Sequence, residues 1–338
     1  MIITDKQQKL LGLLADGEFH SGTELADILN VSRSAVWKQL NSLEGLGLEL
    51  LAVRGKGYRL TRSLELLDQA EIISNLDKHS EGLMAALNIH RQIDSTNRYL
   101  IDCAEQNAVS GVICLAEQQT AGKGRRGRQW VSPFGSNIYL SILWRFEQGY
   151  SQTSGLSLAI GVAVIRALNQ YISQLDSDLA ISFTLKWPND VYFQGKKLGG
   201  ILIEISGESD GPCAAVIGLG LNLFLSDKAA DGIDQAWIDL SKITGKNILR
   251  RNYLAACLIN HFLAVLHDFG SVGIQAYLNE WRRYDCLKDQ SATLFIGKQP
   301  YAGVVRGVDD QGLLLLEQIS GKTKAFASGE VSFNISAL

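Results

Sequence analysis

The sequence predicts an α+β protein in three parts: a helical unit closed by a hairpin, a central mixed sheet with flanking helices, and a small β-barrel or sandwich. Three observations predict it. Residues 1–62 carry three helical apolar periods and then a short hairpin pattern. Residues 68–284 interleave long helical runs with strand runs. Several of those strands are consecutive between residues 181 and 225, which argues against strict βαβ alternation. Residues 285–338 hold five short strands joined by glycine and polar turns.

In the first part, "DKQQKLLGLLA" sets Leu10, Leu11, Leu13 and Leu14 on helical spacing. Ser21 and Glu24 have the spacing of a capping box, which satisfies orphan N–H groups at a helix start. Ser32 can cap the next helix, "RSAVWKQLNSLEGLG". There Val36, Leu40 and Leu43 face the core, so Arg33, Ser34, Lys38 and Asn41 point away. "RGKG" between "LELLAV" and "YRL" reads as a hairpin turn. This is the pattern of a winged helix-turn-helix. Residues 1–62 carry a net charge of +1, and Arg54, Lys56, Arg59 and Arg62 crowd the hairpin without an acidic neighbour. Such a wing suits phosphate contact. The expected DNA-facing set is Ser32, Arg33, Ser34, Lys38 and Asn41 on the helix, with Arg54 and Lys56 on the wing. A helical protein-docking module with a solvated basic turn is the alternative.

In the second part the strand runs are "GVICLAE", "NIYLSILWRF", "ISFTLKW", "DVYF", "LGGILIEIS" and "AAVIGLGLNLF". The helical runs are "STNRYLIDCAEQ", "SLAIGVAVIRALNQYIS" and "RRNYLAACLINHFLAVLHDF". In the third part "SATLFIG", "PYAGVVRGVD", "GLLLLEQ", "KTKAFASGE" and "VSFNI" are the strands.

Composition narrows the function. A net charge of −3 over 338 residues confines any nucleic-acid footprint to a local patch. The five cysteines form no C-x-x-C pair and the five histidines do not cluster. That favours reduced thiols in a cytoplasm over disulfides or a zinc site. The N-terminus lacks a signal-peptide pattern, and the longest apolar run, "LSLAIGVAVIRAL", is broken by Arg166 and reads as too short for a bilayer. The expectation is a cytoplasmic protein without membrane contact.

Four clusters can carry chemistry. "AGKGRRGRQW" (121–130) sets Lys123, Arg125, Arg126 and Arg128 among Gly122, Gly124 and Gly127, with nothing nearby in sequence to neutralise them. It matches G-x-G-x-x-G, but Pro133 and Gly135 follow where a dinucleotide fold needs a helix. What remains is a glycine-rich loop whose arginines can grip phosphate or carboxylate with a planar fork. A solvated basic loop is the bland alternative. In "LKWPNDVYFQGKKLGGILIE", Lys186, Asp190 and Lys197 fall at the ends of adjacent strands. An aspartate beside cations and phosphate can hold Mg²⁺, and a lysine there offsets charge building on a leaving group. A plain ion pair between Lys186 and Asp190 is the competing reading. "GLGLN" (218–222) and "DSTN" (94–97) say little alone: the first reads as a bulge, the second as a helix cap.

Together and in this order, the four clusters resemble the biotin protein ligases, and the flanking parts resemble the bifunctional bacterial form. The resemblance covers nearly the whole chain and implies a central ligase domain with a C-terminal SH3-like barrel. It implies that biotin's carboxylate attacks the α-phosphate of ATP, with Mg²⁺, giving biotinyl-5'-adenylate. A lysine of a biotin carboxyl carrier domain, typically of acetyl-CoA carboxylase, then takes the biotinyl group. By the family's pattern, Ser95, Thr96, Asn97, Gln119, Lys123, Gly124, Arg125 and Lys197 match biotin-binding positions. Arg125, Lys186 and Asp190 match catalytic positions, Asp190 also as a metal ligand, and Asn222 and Trp237 match the adenylate side. The family further implies an adenylate-favoured homodimer that binds operator DNA and represses the biotin operon. One departure stands out: Gly122-Lys123-Gly124 replaces the usual Gly-Arg-Gly, keeping charge but losing the bidentate fork. A lipoate ligase shares this chemistry and is the alternative.

Overall fold

Side-chain caps set the starts of the first three helices. The computed structural model describes residues 4–147, 149–207, 211–246 and 249–333. Helices α1 (Asp5–Leu14), α2 (Gly22–Leu29) and α3 (Arg33–Glu44) are capped by Thr4, Ser21 and Ser32, the first two with complete capping boxes. Leu10, Leu14, Leu25, Val36, Leu40 and Leu43 close a small core. Strands β1 (Leu50–Val53) and β2 (Gly57–Leu60) form the antiparallel wing. Gly57 adopts a positive φ, and a Cβ there would strike the His20 carbonyl.

The central part runs through α4 (Gln69–Ser74), α5 (Lys78–Leu83), β3 (Ala86–His90), α6 (Thr96–Glu105), β4 (Val112–Ala116), β5 (Asn137–Phe146) and α7 (Leu156–Leu175). It continues through β6 (Thr184–Lys186), β7 (Asp190–Phe193), β8 (Lys196–Gly207), β9 (Cys213–Asn222), α8 (Leu240–Thr244), α9 (Arg251–Val272) and α10 (Gln275–Tyr284). Seven strands form one sheet in the order β3-β4-β5-β9-β8-β7-β6. The β3–β4 pair is parallel and the rest are antiparallel, so the sheet is mixed as expected. Strand β3 escaped the reading of strand runs because "ALNIH" is half-buried and shows no clean alternation.

Strand periodicity divides the sheet into two faces. Ile138, Leu140, Ile142, Ile217, Leu219 and Leu221 pack into the core that holds α7 and α9. Their alternates Ser141 and Gly218 face α6 instead, and Gly220 faces Trp130. By length and composition α7 and α9 could each cross a membrane, which corrects the expectation that this apolar run is too short. Helix α7 continues past Arg166, whose guanidinium is held by Glu280 of α10. Most of both apolar windows is buried within the protein.

Five antiparallel strands follow: β10 (Ser291–Ile296), β11 (Gln299–Val308), β12 (Leu314–Glu317), β13 (Thr323–Phe326) and β14 (Glu330–Phe333). Their order is β13-β12-β11-β10-β14. Leu294, Val305, Leu314 and Leu316 join the central core, so this sheet is packed on the centre rather than tethered to it.

The helical unit is also bound in. Phe134, from the central part, is fully buried inside the core of α1–α3, and its N–H reaches the Leu46 carbonyl. Along residues 62–68, Arg62 donates to the Gly135 carbonyl and to Ser136 Oγ. The fully buried Arg251–Glu117 pair (2.9 Å) holds the same segment, with Arg251 donating to the Glu65 carbonyl and Glu117 accepting from Leu67 N–H.

Candidate active site

The sheet face beneath α6 is built to admit side chains. Ser141 of β5, Gly218 of β9 and Leu202 of β8 share one row across the sheet. Tyr139, Gly220, Gly200 and Asp190 share the next. The glycines leave room that other residues fill. A Cβ at Gly218 would overlap Asn97 Oδ1, and one at Gly220 would overlap the Trp130 indole. The uninformative "GLGLN" thus seats one residue from each neighbouring cluster.

The α6 N-terminus opens into this cleft. Ser95 caps it through Arg98 N–H. Gln119 Oε1 accepts from Thr96 N–H (2.9 Å), and Gln119 Nε2 donates to Ser132 Oγ (3.1 Å). Ser141 Oγ donates to Asn97 Oδ1 (2.6 Å), while Asn97 Nδ2 donates to Glu204 Oε2 (2.8 Å) and the Leu202 carbonyl. Both Asn97 N–H bonds are therefore spent inside the protein, leaving acceptor capacity on Oδ1.

The basic loop folds over the other side. Lys123 bridges to Gln129, and a short 3-10 turn spans Arg125–Gly127. Arg125 donates to Asn189 Oδ1 (3.0 Å); burial lowers its pKa, partly offset by the nearby Asp190. The expectation that nothing neutralises this loop is corrected in space. Glu330 of β14 pairs with Arg128 and, at 3.8 Å, with Arg126. That hydrogen bond raises the pKa of Arg128.

At the sheet edge, Lys186 and Asp190 face each other in the β6–β7 register. The ion pair, however, is made by Lys197 Nζ to Asp190 Oδ1 (2.9 Å). Lys186 Nζ instead bonds Tyr192 OH (3.3 Å) and lies over its ring. Burial lowers the Lys186 pKa, and Asp190 pulls it back up. Ser95, Thr96, Asn97, Gln119, Lys123, Gly124, Arg125, Lys186, Asp190 and Lys197 all line one cleft. Asn222 and Trp237 line an adjoining pocket, which shares Trp130, Lys197 and Gln235 with the cleft.

Three family models match this chain: a biotin/lipoate A/B protein ligase family over residues 89–222, an HTH domain over 6–59 and a biotin protein ligase C-terminal domain over 293–334. A curated Escherichia coli protein, "Bifunctional ligase/repressor BirA", is 42% identical over 324 residues, 96% of each chain. The chain belongs to the bifunctional bacterial biotin protein ligases. A Bacillus subtilis ligase/repressor of this type is 31% identical over 93% of this chain and 94% of its own. A solved biotin protein ligase from Aquifex aeolicus, in complex with biotin and ATP, aligns with a TM-score of 0.59 and 28% identity. That alignment covers 74% of this chain and 98% of the other.

For a biotin protein ligase the cleft contains residues that the motifs alone did not single out. Trp130 divides the two pockets, and its indole N–H is buried without a partner among the described residues. Asn189 fixes Arg125 while its own amide donates to the Ile201 carbonyl (2.6 Å). Both stand inside quoted motifs, so the signal was present. Glu330 offered none, because it acts across domains. Among the described residues no group of three or more metal-binding side chains occurs, so Asp190 stands without the carboxylate cluster of a resident metal site.

On the ligase's helical unit, Arg33, Ser34, Lys38 and Asn41 are exposed on α3, as are Arg54 and Lys56 on the wing. Ser32 is spent on its cap, accepting from Ala35 N–H. Two wing arginines leave the DNA-facing pattern. Arg59 lies over Phe19, and Arg62 is half-buried at the junction, its pKa pushed down to about 10 by desolvation and by Arg251.

Proposed function

We propose that this chain activates biotin with MgATP to biotinyl-5'-adenylate and transfers biotin to one lysine of a biotin carboxyl carrier domain, that of acetyl-CoA carboxylase. The observation that carries this is the convergence of Arg125, Lys186, Lys197 and Asp190 with the Ser95–Thr96–Gln119 corner in one cleft. In this reading the α6 N-terminus and the network through Gln119 and Ser141 hold the biotin ring system, Asn97 offering its Oδ1. Lys123, Gly124 and Arg125 cover biotin and the adenylate. Lys197 sits by the biotin carboxylate. Arg125 and Lys186 offset charge as the carboxylate oxygen attacks the α-phosphorus and pyrophosphate leaves. Asp190 would hold the Mg²⁺ that accompanies the nucleotide, and the ion would offset charge on the phosphates. The acceptor amine then attacks the acyl carbon and AMP departs, so no side-chain nucleophile is required. Asn222 and Trp237 form the adenylate side.

The same chain acts as a repressor. Residues 1–62 form the DNA-binding domain, 68–284 the ligase domain and 285–338 the C-terminal domain. Adenylate favours a cytoplasmic homodimer that binds a two-half-site operator through Arg33, Ser34, Lys38, Asn41, Arg54 and Lys56, with Ser32 fixing the start of the reading helix.

One experiment addresses both halves. The chain is incubated with biotin, MgATP, a carrier domain and a candidate operator duplex. The expected result is one biotin mass on one carrier lysine and an adenylate-dependent DNA shift. Lipoate in place of biotin should give neither; labelling by lipoate alone would overturn the substrate assignment.

A further inference from the structure

The helical unit is small, yet it holds four of the ten large apolar side chains that the described residues leave exposed: Ile28, Trp37, Leu51 and Val53. Trp37 is the largest of the ten, at 55% exposure. It lies on α3 in the stripe Ser34–Trp37–Lys38–Asn41, where spacings of three, four and seven place side chains on one face. That face is opposite Val36, Leu40 and Leu43, which fill the unit's core. Its exposed charges, Arg33 and Lys38, are cationic, with no acidic residue between positions 33 and 42, and the wing of the same unit exposes Arg54 and Lys56.

A large indole in the middle of a cationic reading face needs a partner that is anionic at its rim and apolar within. Duplex DNA offers that combination: phosphates line the groove, and the thymine C5-methyl is the apolar feature of the major-groove floor. We infer that Trp37 is a specificity-determining residue of the DNA-binding unit, packing its indole on a thymine methyl in the major groove. The inference rests on the DNA-binding reading above and deepens it. The cations position the helix on the phosphates, and the indole selects the base. Trp37 stands in the second turn of α3, within the N-terminal half that a recognition helix turns toward base edges. An exposed position also lets it be changed without disturbing the core or the ligase cleft.

The test uses the full chain with biotin and MgATP. Preferred duplexes are first selected from a randomised library. Each thymine of the selected half-site is then replaced by uracil, which removes only the methyl. The expected result is a three- to tenfold loss of wild-type affinity at one or two positions and no further loss there for Trp37→Ala. Transfer of biotin to the carrier domain and thermal stability should stay unchanged in Trp37→Ala. Retention of the wild-type base preference by Trp37→Ala would overturn the inference. So would an equal loss on every duplex, specific or not, since that marks a general packing role. A wild type that selects no sequence would overturn the DNA-binding reading itself, a result distinct from either.

Discussion

At the scale of single residues, the cleft depends on what two glycines omit. Gly220 leaves the space taken by the Trp130 indole, which forms a wall of both pockets. Gly220→Ala should move that wall and lower kcat/KM for biotin transfer about 10- to 100-fold, with circular dichroism unchanged. Arg125 is half-buried and tied to Asn189. Arg125→Gly removes that tie and a covering cation, so adenylate should escape. Mass spectrometry of a bystander protein should then find biotin on its lysines, absent with the wild type. The motifs made Arg125, Lys186, Asp190 and Lys197 legible because charge alternating with glycine, or set at strand ends, is visible in one dimension. Which lysine pairs with Asp190 was not legible. Register puts Lys186 opposite it, but the hairpin brings the Lys197 ammonium to the carboxylate. Nor could the sequence foretell Glu330 on Arg128, a contact made by two parts of the chain that only packing brings together.

At the scale of elements, local rules served where local physics decides. The caps at Ser21 and Ser32 and the core stripe of α3 follow from short-range spacing. Elements whose burial depends on distant partners were harder: β3 gains its place by parallel pairing with β4. The turn between α10 and β10 shows another such dependence. Asp285 is half-buried there with its Oδ2 out of reach of solvent, and its carboxyl is pushed up to about 6 by that desolvation, against the pull of the Leu287 and Lys288 backbone N–H groups. Its folded pKa lies above the unfolded value, so the folded state holds the extra proton between about pH 4 and 6. Stability from this group is full below that window and is lost as the pH rises through it. Relative to Asp285→Asn, the wild type should lose on the order of 2 kcal/mol between pH 4 and 7, as measured by denaturant unfolding.

At the scale of the whole molecule, the three parts share cores, and ion pairs such as Arg128–Glu330 join the second part to the third. The Arg251–Glu117 pair is sealed from water, and the segment joining the helical unit to the ligase is bound to it. Phe134 completes a core whose other buried members all come from residues 10–64. Phe134→Ala should destabilise that unit by about 3–5 kcal/mol. Hydrogen exchange should show the amides of α1–α3 losing protection while those of β5 and β9 keep theirs. Equal loss in both sets would mean that the molecule opens as one unit.

The position of Phe134 also bears on how the protein can be divided. A cut near residue 62 looks clean on paper, since the chain crosses there once. Yet the ligase fragment would carry away the ring that fills the helical unit, and each fragment would expose the apolar surface the other had covered. Anyone trimming this protein to a minimal labelling enzyme should replace Phe134 with a polar residue. Anyone expressing the DNA-binding unit alone should supply a substitute for the missing aromatic.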